Sequence, residues 1–499
     1  MENIKKTGSF LCAGMDPTNI KEDEVYDWAM KTVNVLKPHV ACFKPNFSFY
    51  EGLGSEGLRA LKYICENTIS ILDIKAGDIG KTQRFRAAAV KKMYNPKFVT
   101  ITDYMGGCAL PFIELGIGTF VVARSTNEEG TSFQERHSGG LSNSEWIAHE
   151  IKKSQHDNMT GIVVGAGDDV EAVRRIRALF PDGWWLMPGV GTQEKPNSLK
   201  TLAYLNGKGI VNSSSSFTGV PDDMDWRSED YDMLLIGRAN ELNARIGDHA
   251  GTTVETPKDI AVDILIRNQL ALVSGYVEEN SEERAFEYKN DHPRLKRKDF
   301  TTFCQIRHLT GVSDRDKEFC SFVIAEKYKK MLDEKLDAVV PVPMGAMGFL
   351  NILSKALSTT DWILRPAKEG PGNQDQIIGL PVIPKGALQR SGYTIREQEE
   401  KDVKILMVED IFSSGGSSIK EADRLKEVLA NHYHMNADIS IIALGTNTLE
   451  APGKVNDAGY KAYACIDIPD IAKAALKFVA EDEREAVKQD MLERFNVAI

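Results

Sequence analysis

The first half of the chain alternates short apolar runs with longer amphipathic segments. Eight apolar runs occur, at 9–16, 40–47, 69–75, 98–104, 119–124, 161–166, 184–190 and 209–214. Nearly continuous apolar runs separated by helical segments predict parallel strands that are covered by helices on both faces. Eight such units in about 250 residues predict a (β/α)8 TIM barrel, and an open doubly wound sheet is the alternative that fits the repeat number less well.

The second half predicts a separate α/β domain. The stretch 244–259 is rich in Gly, Thr and Pro and lacks apolar periodicity, so it predicts a linker. A helix is expected over 259–279, and a charged segment follows it. Strand patterns come next, at 337–343, 361–367, 403–410, 437–445 and 462–468. We therefore predict a barrel over 1–250, a linker and helix over 251–284, and an open parallel-sheet domain over 285–499.

Composition narrows the classes of partner. The net charge of −11 argues against nucleic acid, because phosphate binding rewards a basic surface. No window approaches the roughly 18 uncharged apolar residues of a membrane span, and the N-terminus lacks the apolar core of a secretory signal. Seven scattered cysteines, never spaced as C-x-x-C, favour reduced thiols over disulfides or a zinc site. These features predict a cytoplasmic protein without membrane or nucleic-acid partners.

The most informative motif is DIKAGDIGKT, which follows the apolar run 69–72. Because side chains alternate along a strand, Asp73 and Lys75 point to the same side, and Asp78 follows after one short turn. Opposite charges at a strand end suit an enzyme that stabilises a carbanion and then delivers a proton. A solvated ion-pair cluster is the alternative when this motif is taken alone.

Other polar residues follow the predicted strands at their C-terminal ends. They are Asp16, Lys44, Asp103, Arg124, Pro188–Gly189 and the serines 213–216. A (β/α)8 barrel carries its active site at this end of its strands. The convergence of these residues with Asp73 and Lys75 predicts that the first half is an enzyme.

A second candidate site lies in VKILMVEDIFSSGGSSIKEA. Its strand ends in Glu409 and Asp410, and Ser413, Ser414, Gly415 and Gly416 lead into a helix that begins near Ser417. Glycine-rich entry to a helix N-terminus holds phosphate, and the two carboxylates suit sugar hydroxyls or a bound Mg²⁺. The segment therefore predicts a site for a phosphorylated ribose. Arg365 and Lys368 precede a Gly/Pro/Asn-rich loop, which either closes over pyrophosphate or is simply exposed.

On these motifs the two halves resemble two known families. The first half resembles orotidine 5′-monophosphate decarboxylase in segments 14–17, 44–58, 73–82, 123–130, 163–166, 188–193 and 211–214. The second resembles a type I phosphoribosyltransferase, for which orotate phosphoribosyltransferase is the natural partner. The whole chain is thus similar to a fused UMP synthase with the decarboxylase first.

The resemblance implies roles for particular residues of the barrel. The catalytic tetrad would be Lys44, Asp73, Lys75 and Asp78, with Lys75 as the proton donor to the pyrimidine C6. The substrate-binding residues would be Asp16, Thr82, Thr126, Gln193, Ser214 and Ser215. In the family, the residues equivalent to Asp78 and Thr82 reach the site of the neighbouring subunit, which implies a homodimer or larger homo-oligomer. The resemblance also implies that the decarboxylation step uses no cofactor.

For the second half, the resemblance implies binding of orotate and phosphoribosyl diphosphate with Mg²⁺, and no metal ion bound directly by the protein. The binding residues would be Arg307, Arg365, Lys368, Glu409, Asp410, Ser413, Ser414, Gly415, Gly416 and Ser417. Three departures from the family patterns stand out. In the barrel, Ser215 replaces a phosphate-binding arginine. In the second half, the basic loop after Arg365 is shortened, and GTNTLE (445–450) replaces an Asp-Arg pair.

Three functional hypotheses remain at this point. The first is a bifunctional enzyme that makes orotidine 5′-monophosphate and then UMP. The second keeps the barrel but gives it another sugar phosphate, because 3-keto-sugar-phosphate decarboxylases and hexulose-phosphate synthases share D-x-K-x-x-D and use Mg²⁺. The third is a nucleotide-binding regulator with one inactive domain, motivated by the departures at Ser215 and in the transferase loop.

Overall fold

The structure is a computed structural model of the 499-residue chain. It describes residues 2–153, 159–167, 169–191, 195–252, 255–268, 271–273, 302–304, 312–332, 334–342, 346–365, 375–379, 401–479 and 481–499. The chain divides into two units. The first comprises Met1–Arg136 and Ser142–Thr256, and the second comprises His137–Leu141 and Pro257–Ile499.

Among the described residues, eight parallel strands of the first unit form one sheet in the order β2-β1-β10-β9-β8-β5-β4-β3. They are β1 (Leu11–Met15), β2 (Cys42–Pro45), β3 (Ile71–Ala76), β4 (Phe98–Ile101), β5 (Gly118–Arg124), β8 (Thr160–Val164), β9 (Trp185–Pro188) and β10 (Gly209–Ser213). A separate two-stranded sheet consists of β6 (His137–Ser138) and β7 (Leu141–Ser142). Parallel bridges Phe43↔Ser70 and Asn46↔Asp73 join the two ends of the large sheet. The predicted (β/α)8 barrel is confirmed.

Helices lie between these strands along the chain, and the longer ones bury an apolar face. They are α1 (Glu2–Thr7), α2 (Val25–Leu36), α3 (Phe47–Gly52), α4 (Gly54–Asn67), α5 (Gly80–Met93), α6 (Leu110–Ile113), α7 (Thr131–Gln134), α8 (Asn143–Lys153), α9 (Val170–Leu179), α10 (Ser198–Thr201), α11 (Ser215–Thr218) and α12 (Glu229–His249). In α4, for example, Ala60, Leu61 and Ile64 recur at the helical spacing and are buried.

The inside of the barrel is apolar at one end and polar at the other. Near the N-terminal ends of the strands, a cluster of buried residues includes Cys12, Ile71, Phe120 and Ile210. Most side chains around the C-terminal ends are charged or carry hydroxyl or amide groups, and Val122, Val163 and Leu186 lie among them. The apolar end fixes the strands in register, so the polar side chains at the other end converge on the barrel mouth.

The second unit contains a parallel sheet of five strands within its described part, in the order β14-β13-β17-β18-β19. The strands from residue 271 onward are β11 (Ala271–Val273), β12 (Thr302–Cys304), β13 (Ala338–Pro341), β14 (Thr360–Asp361), β15 (Ile363–Arg365), β16 (Gln376–Ile378), β17 (Lys401–Phe412), β18 (Met435–Thr446) and β19 (Lys461–Asp467). Of these, β11 with β12 and β15 with β16 form antiparallel pairs outside the five-stranded sheet. Its helices are α13 (Pro257–Arg267), α14 (Asp314–Met331), α15 (Met347–Ala356), α16 (Gly416–Val428), α17 (Glu450–Asp457), α18 (Ile468–Ala475) and α19 (Glu481–Phe495). The predicted open parallel-sheet domain is confirmed.

Two local predictions about the joining region were wrong. Helix α12 continues to His249, so the first residues of the predicted linker 244–259 are helical. The helix predicted over 259–279 ends at Arg267, and β11 follows, paired antiparallel with β12. The run Ala271–Val273 is apolar enough for either structure, and pairing with a strand about 30 positions later is invisible to local pattern. No helix in the described part of the chain is both long and apolar enough to cross a membrane.

One buried arginine of α9 connects the segments that precede strands β9 and β10 at the N-terminal end of the barrel. Arg177 is almost wholly buried, and its guanidinium lies 3.8 Å from the centre of the Trp185 ring. Its nitrogens donate to backbone carbonyls at 2.6–3.3 Å, those of Tyr204, Phe180, Gly183 and Leu205. Burial lowers the pKa of Arg177 to about 9. The side chain therefore joins two segments, the loop 180–183 after α9 and residues 204–205 before β10.

We predict that Arg177→Met lowers the free energy of unfolding by about 3 kcal/mol, because buried carbonyls lose their donors. Urea unfolding followed by tryptophan fluorescence measures this change. The matched control is Arg227→Met, which removes an exposed arginine that also stacks on a tryptophan, Trp226. It should change stability by about 0.5 kcal/mol or less. Equal effects of the two substitutions would contradict a special role for Arg177.

Candidate functional site

A cavity of about 490 Å³ opens at the C-terminal ends of the barrel strands. Strands on opposite sides of the barrel contribute to it, because the closed sheet directs all strand ends to one mouth. Its polar lining includes Asp16, Lys44, Asp73, Lys75, Thr100, Thr126, Asn212, Ser214 and Ser215. The cavity thus collects most of the barrel residues that the sequence predicted for a site.

The centre of the cavity is a carboxylate held by two ammonium groups. Lys44 Nζ lies 2.6 Å from Asp73 Oδ2, and Lys75 Nζ lies 2.7 Å from Asp73 Oδ1. Lys44 and Asp73 are buried, whereas the Lys75 side chain is 55% exposed at the mouth. Lys75 therefore remains accessible to a ligand while it is bound to a fixed anion.

Electrostatics keeps these groups charged. Burial by itself would raise the pKa of Asp73, but the nearby ammonium groups of Lys44 and Lys75 outweigh it and hold that pKa well below its usual range. Burial would lower the pKa of Lys44, yet the carboxylates of Asp73 and Asp16 raise it above its ordinary value. Asp73 is consequently an anion and Lys44 a cation throughout the physiological pH range.

Two buried acceptors face the cavity without a hydrogen-bond partner in the described structure. They are Asp16 Oδ1 and Asn212 Oδ1. Burial raises the pKa of Asp16, which Lys44 and the Ser214 hydroxyl partly offset. Asn212 Nδ2 donates to Ser214 Oγ at 3.3 Å. Because buried acceptors without donors are costly, this part of the cavity is suited to a ligand with hydroxyl groups. The sequence analysis missed Asn212, which lies within a predicted strand.

Serines and glycines form another part of the cavity wall. Ser213 and Ser216 exchange a hydroxyl hydrogen bond of 3.2 Å beside Ser214 and Ser215. Gly189 has φ +103°, and a Cβ there would lie 2.8 Å from Thr126 Cγ2, so glycine is required. Arg238 of α12 is a cation close to this serine segment, but it does not line the cavity. Its Nη1 donates instead to the carbonyls of Phe217 and Gly219 at 3.0 Å. It supports the serine segment from outside.

Asp78 and Thr82 do not line this cavity. The half-buried Asp78 carboxylate accepts the Ile79 N–H at 2.7 Å, and Thr82 is exposed on α5. Ile79, which follows Asp78, and Phe85, one turn beyond Thr82 on α5, are more than half exposed. Tyr104 and Met105, which follow β4, are also more than half exposed. Asp78, the fourth predicted member of the tetrad, therefore lies outside the cavity that contains Lys75 of the same chain.

In the second unit, β17 leads through a short loop into α16. The strand continues to Phe412, two residues beyond the predicted Glu409–Asp410 end. Gly415 has φ +75°, and a Cβ there would lie 2.7 Å from Val455 Cγ2 and 3.0 Å from the Ala451 carbonyl oxygen. Only glycine fits this turn. Helix α16 begins at Gly416, with Ser413, Ser414 and Ser417 exposed around its N-terminus.

The two carboxylates before this loop are buried. Glu409 Oε2 accepts a hydrogen bond from the Ser418 hydroxyl of α16. Asp410 Oδ1 accepts the Ile411 N–H at 2.9 Å. The carboxylates thus belong to the same strand–loop–helix unit as the exposed serines, as the sequence predicted.

The GTNTLE segment has a role that the sequence analysis missed. Asn447 N–H donates to the Phe412 carbonyl at 2.8 Å, and the Thr446 hydroxyl reaches the same oxygen at 3.3 Å. The Thr448 hydroxyl donates to the Ser413 carbonyl at 3.2 Å. These contacts hold the loop between β17 and α16 in place from the neighbouring strand.

Four residues that the sequence predicted for the two sites are not among the described side chains. Gln193, Arg307 and Lys368 lie outside the described residues, and Arg365 is assigned only to strand β15. Within the described residues, no three His, Cys, Asp or Glu side chains are grouped so as to hold a metal ion.

Comparison with known proteins gives matches to both units. The profile of the orotidine 5′-phosphate decarboxylase / HUMPS family matches residues 9–222, and that of the phosphoribosyl transferase domain matches 318–442. An orotidine 5′-phosphate decarboxylase of Christiangramia forsetii is 32% identical over 209 residues, covering 38% of this chain and 76% of that protein. One of Haloarcula marismortui is 30% identical over 248 residues, covering 46% of this chain and 88% of that protein.

Among solved structures, the UMP synthase of Leishmania donovani is similar with a TM-score of 0.44 and 20% identity, covering 99% of this chain and 98% of that chain. The OMP decarboxylase of the same organism is similar with a TM-score of 0.43 and 26% identity, covering 50% of this chain and 95% of that chain.

The charge cluster generates a prediction about stability. Asp73→Ala leaves the buried Lys44 ammonium without its closest anion, so we expect a loss of about 3 kcal/mol in the free energy of unfolding at pH 7. The pKa of Asp73 is depressed in the folded state, so its stabilisation is present above the unfolded pKa of about 4 and is lost as pH falls further. The difference between variant and wild type should therefore stay constant from about pH 5 to 8 and shrink below about pH 4.

Urea unfolding across this pH range measures the difference. Glu56→Ala is the control, because it removes an exposed carboxylate that pairs with Arg59 at 3.0 Å. That change should cost about 0.5 kcal/mol or less. A difference for Asp73→Ala that grew on acidification would contradict the assigned charges.

Proposed function

The chain belongs to the orotidine 5′-phosphate decarboxylase family, and from this premise we propose that it is a bifunctional enzyme of pyrimidine nucleotide synthesis. The second unit joins orotate to phosphoribosyl diphosphate, which gives orotidine 5′-monophosphate and pyrophosphate. The barrel then removes the carboxylate of that nucleotide as carbon dioxide and gives UMP. The observation that carries the proposal is the Asp73 carboxylate held between Lys44 and Lys75 at the barrel mouth, in a chain that also contains a phosphoribosyl transferase domain.

For decarboxylation, the bond between C6 of the pyrimidine and its carboxylate breaks, and the electron pair stays on C6. The Lys75 ammonium stabilises that charge and then donates a proton to C6. A preorganised cation in a partly enclosed site is an effective source of such stabilisation. Asp73 stays ionised beside the departing carboxylate because its pKa is held low, and it fixes the direction of the Lys75 ammonium.

The remaining cavity residues fit the rest of a nucleotide. The buried acceptors of Asp16 and Asn212 suit the ribose hydroxyls. The serines around Ser214 and Ser215 suit the 5′-phosphate, which hydroxyl donors hold in place of an arginine. Hydrogen bonds from hydroxyls to phosphate are weaker than those from a guanidinium, so we expect modest affinity for the phosphate group.

In the second unit, the loop before α16 suits the phosphate of the phosphoribosyl group. The helix N-terminus presents N–H groups to the anion, and the exposed Ser413, Ser414 and Ser417 add hydroxyl donors. Glu409 and Asp410 suit the ribose hydroxyls. Mg²⁺ would be held mainly by the diphosphate, next to these carboxylates, where it would neutralise charge on the leaving pyrophosphate.

We further propose that the active form is a homodimer. Asp78 is followed directly by Ile79, and Thr82 lies one helical turn before Phe85 on α5; both apolar side chains are more than half exposed. Apolar side chains grouped in this way commonly mark an interface. A second copy placed there would receive Asp78 and Thr82 into its cavity. The six cysteines whose side chains the structure describes are buried free thiols, which supports a cytoplasmic location.

The two activities should be separable by substitution. We predict that Lys75→Ala abolishes carbon dioxide release from orotidine 5′-monophosphate while pyrophosphate release from orotate and phosphoribosyl diphosphate continues. Asp410→Asn should have the opposite effect, weakening pyrophosphate release about tenfold or more while decarboxylation continues. Each variant is the control for the other, because both keep the whole chain.

Decarboxylation should persist in excess EDTA when orotidine 5′-monophosphate is supplied. Loss of the reaction in EDTA would instead favour a metal-dependent sugar-phosphate decarboxylase. Carbon dioxide release by Lys75→Ala at the wild-type rate would refute the role proposed for Lys75.

Shared sites should be detectable by mixing inactive variants. We predict that Lys75→Ala and Asp78→Ala are each inactive as decarboxylases, and that dissociating and reassociating an equal mixture recovers about a quarter of wild-type activity. Half of the dimers are then mixed, and each mixed dimer has one of its two sites intact.

The control mixture combines Lys75→Ala with Lys44→Ala. Both lesions lie in the same cavity, so no mixed dimer has an intact site and no activity should return. Absence of recovery in the first mixture, with mixed dimers demonstrated by tagging, would contradict the shared site.

A further inference from the structure

Strand β4 contributes a hydroxyl group to the centre of the barrel cavity. The Thr100 side chain is almost fully buried and lines the cavity beside Asp73 and Lys75. Its neighbours in the strand sequence FVTI are apolar, and as a β-branched residue Thr100 is also a normal strand former. A valine would serve that structural purpose equally well, so the contacts of the hydroxyl decide whether it has another one.

The pairing of β4 with β3 is irregular where the charged residues lie. Leu72 pairs with Val99 and Ala76 with Ile101, so four steps along β3 match two along β4. Asp73 and Lys75 lie in β3 between these two paired positions, where the register shifts. Lys75 has φ +43°, which is in the left-handed region that non-glycine residues rarely adopt. The conformation that presents the Lys75 side chain to the cavity is therefore a strained one that other contacts must maintain.

Thr100 supplies those contacts through a single oxygen atom. Its Oγ1 accepts the Lys75 N–H at 2.9 Å. In a regular parallel ladder, a backbone carbonyl of the neighbouring strand would accept this hydrogen bond. The same hydroxyl donates its proton to Asp73 Oδ1 at 2.9 Å. That carboxylate oxygen also receives Lys75 Nζ at 2.7 Å. The hydroxyl thus links the strained backbone of Lys75 to the acceptor of its side chain.

We propose that Thr100 is a positioning residue for decarboxylation, which holds the Lys75 backbone in its left-handed conformation and the Asp73 carboxylate in line with the Lys75 ammonium. The inference rests on the proposed function of the barrel. Without the hydroxyl, the Lys75 N–H loses its acceptor and the Asp73 carboxylate loses a donor. The Lys75 backbone then relaxes from its strained left-handed φ, and this carries the ammonium away from Asp73 Oδ1. Thr100 itself does not donate a proton to the substrate.

The test compares Thr100→Val, which keeps the shape and removes the hydroxyl, with Thr100→Ser, which keeps the hydroxyl. For decarboxylation of orotidine 5′-monophosphate, Thr100→Val should lower kcat about 100-fold with KM changed about threefold or less, because misplacement of a reacting group affects the chemical step. Thr100→Ser should keep kcat within about threefold of wild type. Pyrophosphate release by the second unit should not change in either variant.

Thr119→Val is the matched control. Thr119 is another buried barrel threonine, whose hydroxyl contacts that of Thr160 at 3.4 Å and not the charged residues. It should keep wild-type kcat. The proposal is overturned if Thr100→Val keeps wild-type kcat, or if Thr100→Ser is as impaired as Thr100→Val.

A crystal structure of Thr100→Val provides a measurement that does not depend on activity. We expect Lys75 to adopt a negative φ and its Nζ to leave Asp73 Oδ1. Unchanged Lys75 geometry would overturn the inference even if the wild-type enzyme is active. Absence of decarboxylation by the wild-type protein would instead refute the proposed function, and the crystal structure would still decide the role of Thr100.

Discussion

The structure of the barrel mouth depends on a single ionised carboxylate. Asp73 is buried with Lys44, and a buried charge is tolerated only when it is paired and hydrogen-bonded. Two ammonium groups and the Thr100 hydroxyl satisfy its two oxygens. Each of the lysines is fixed in turn by the carboxylate. The arrangement places a cation at the open rim without letting it swing freely, which is what a reaction that develops negative charge on carbon requires.

The barrel accommodates this cluster because one end of its strands stabilises the fold and the other end carries the polar cavity. Its apolar end holds the strands together with residues such as Phe120 and Ile210. The other end is free to carry strained or unsatisfied groups, including the left-handed Lys75 and the partnerless acceptors of Asp16 and Asn212. The strained backbone and the acceptors without donors each cost stability, and the apolar packing at the other end of the barrel offsets that cost. The second unit follows the same principle, since GTNTLE braces the loop before α16 while the exposed serines remain available.

Much of this was visible in the sequence. The alternation of apolar runs and helices predicted the barrel and the second sheet, because burial on both faces imposes a pattern that does not depend on distant partners. DIKAGDIGKT predicted Asp73 and Lys75 side by side, and the Ser/Gly segment predicted the loop into α16. These signals are local: strand alternation, glycine at a tight turn, and a helix that begins directly afterwards.

The sequence by itself determined which residues carry charge and which segments form strands, but only the tertiary structure decided which of these residues meet. Lys44 and Thr100 reach Asp73 from neighbouring strands, and the irregular register that turns Lys75 into the cavity involves two strands at once. Asp78 follows Lys75 closely in sequence and yet lies outside its cavity. Contacts across strands depend on closure and register, which no local pattern records, because they are set by the packing of the whole barrel.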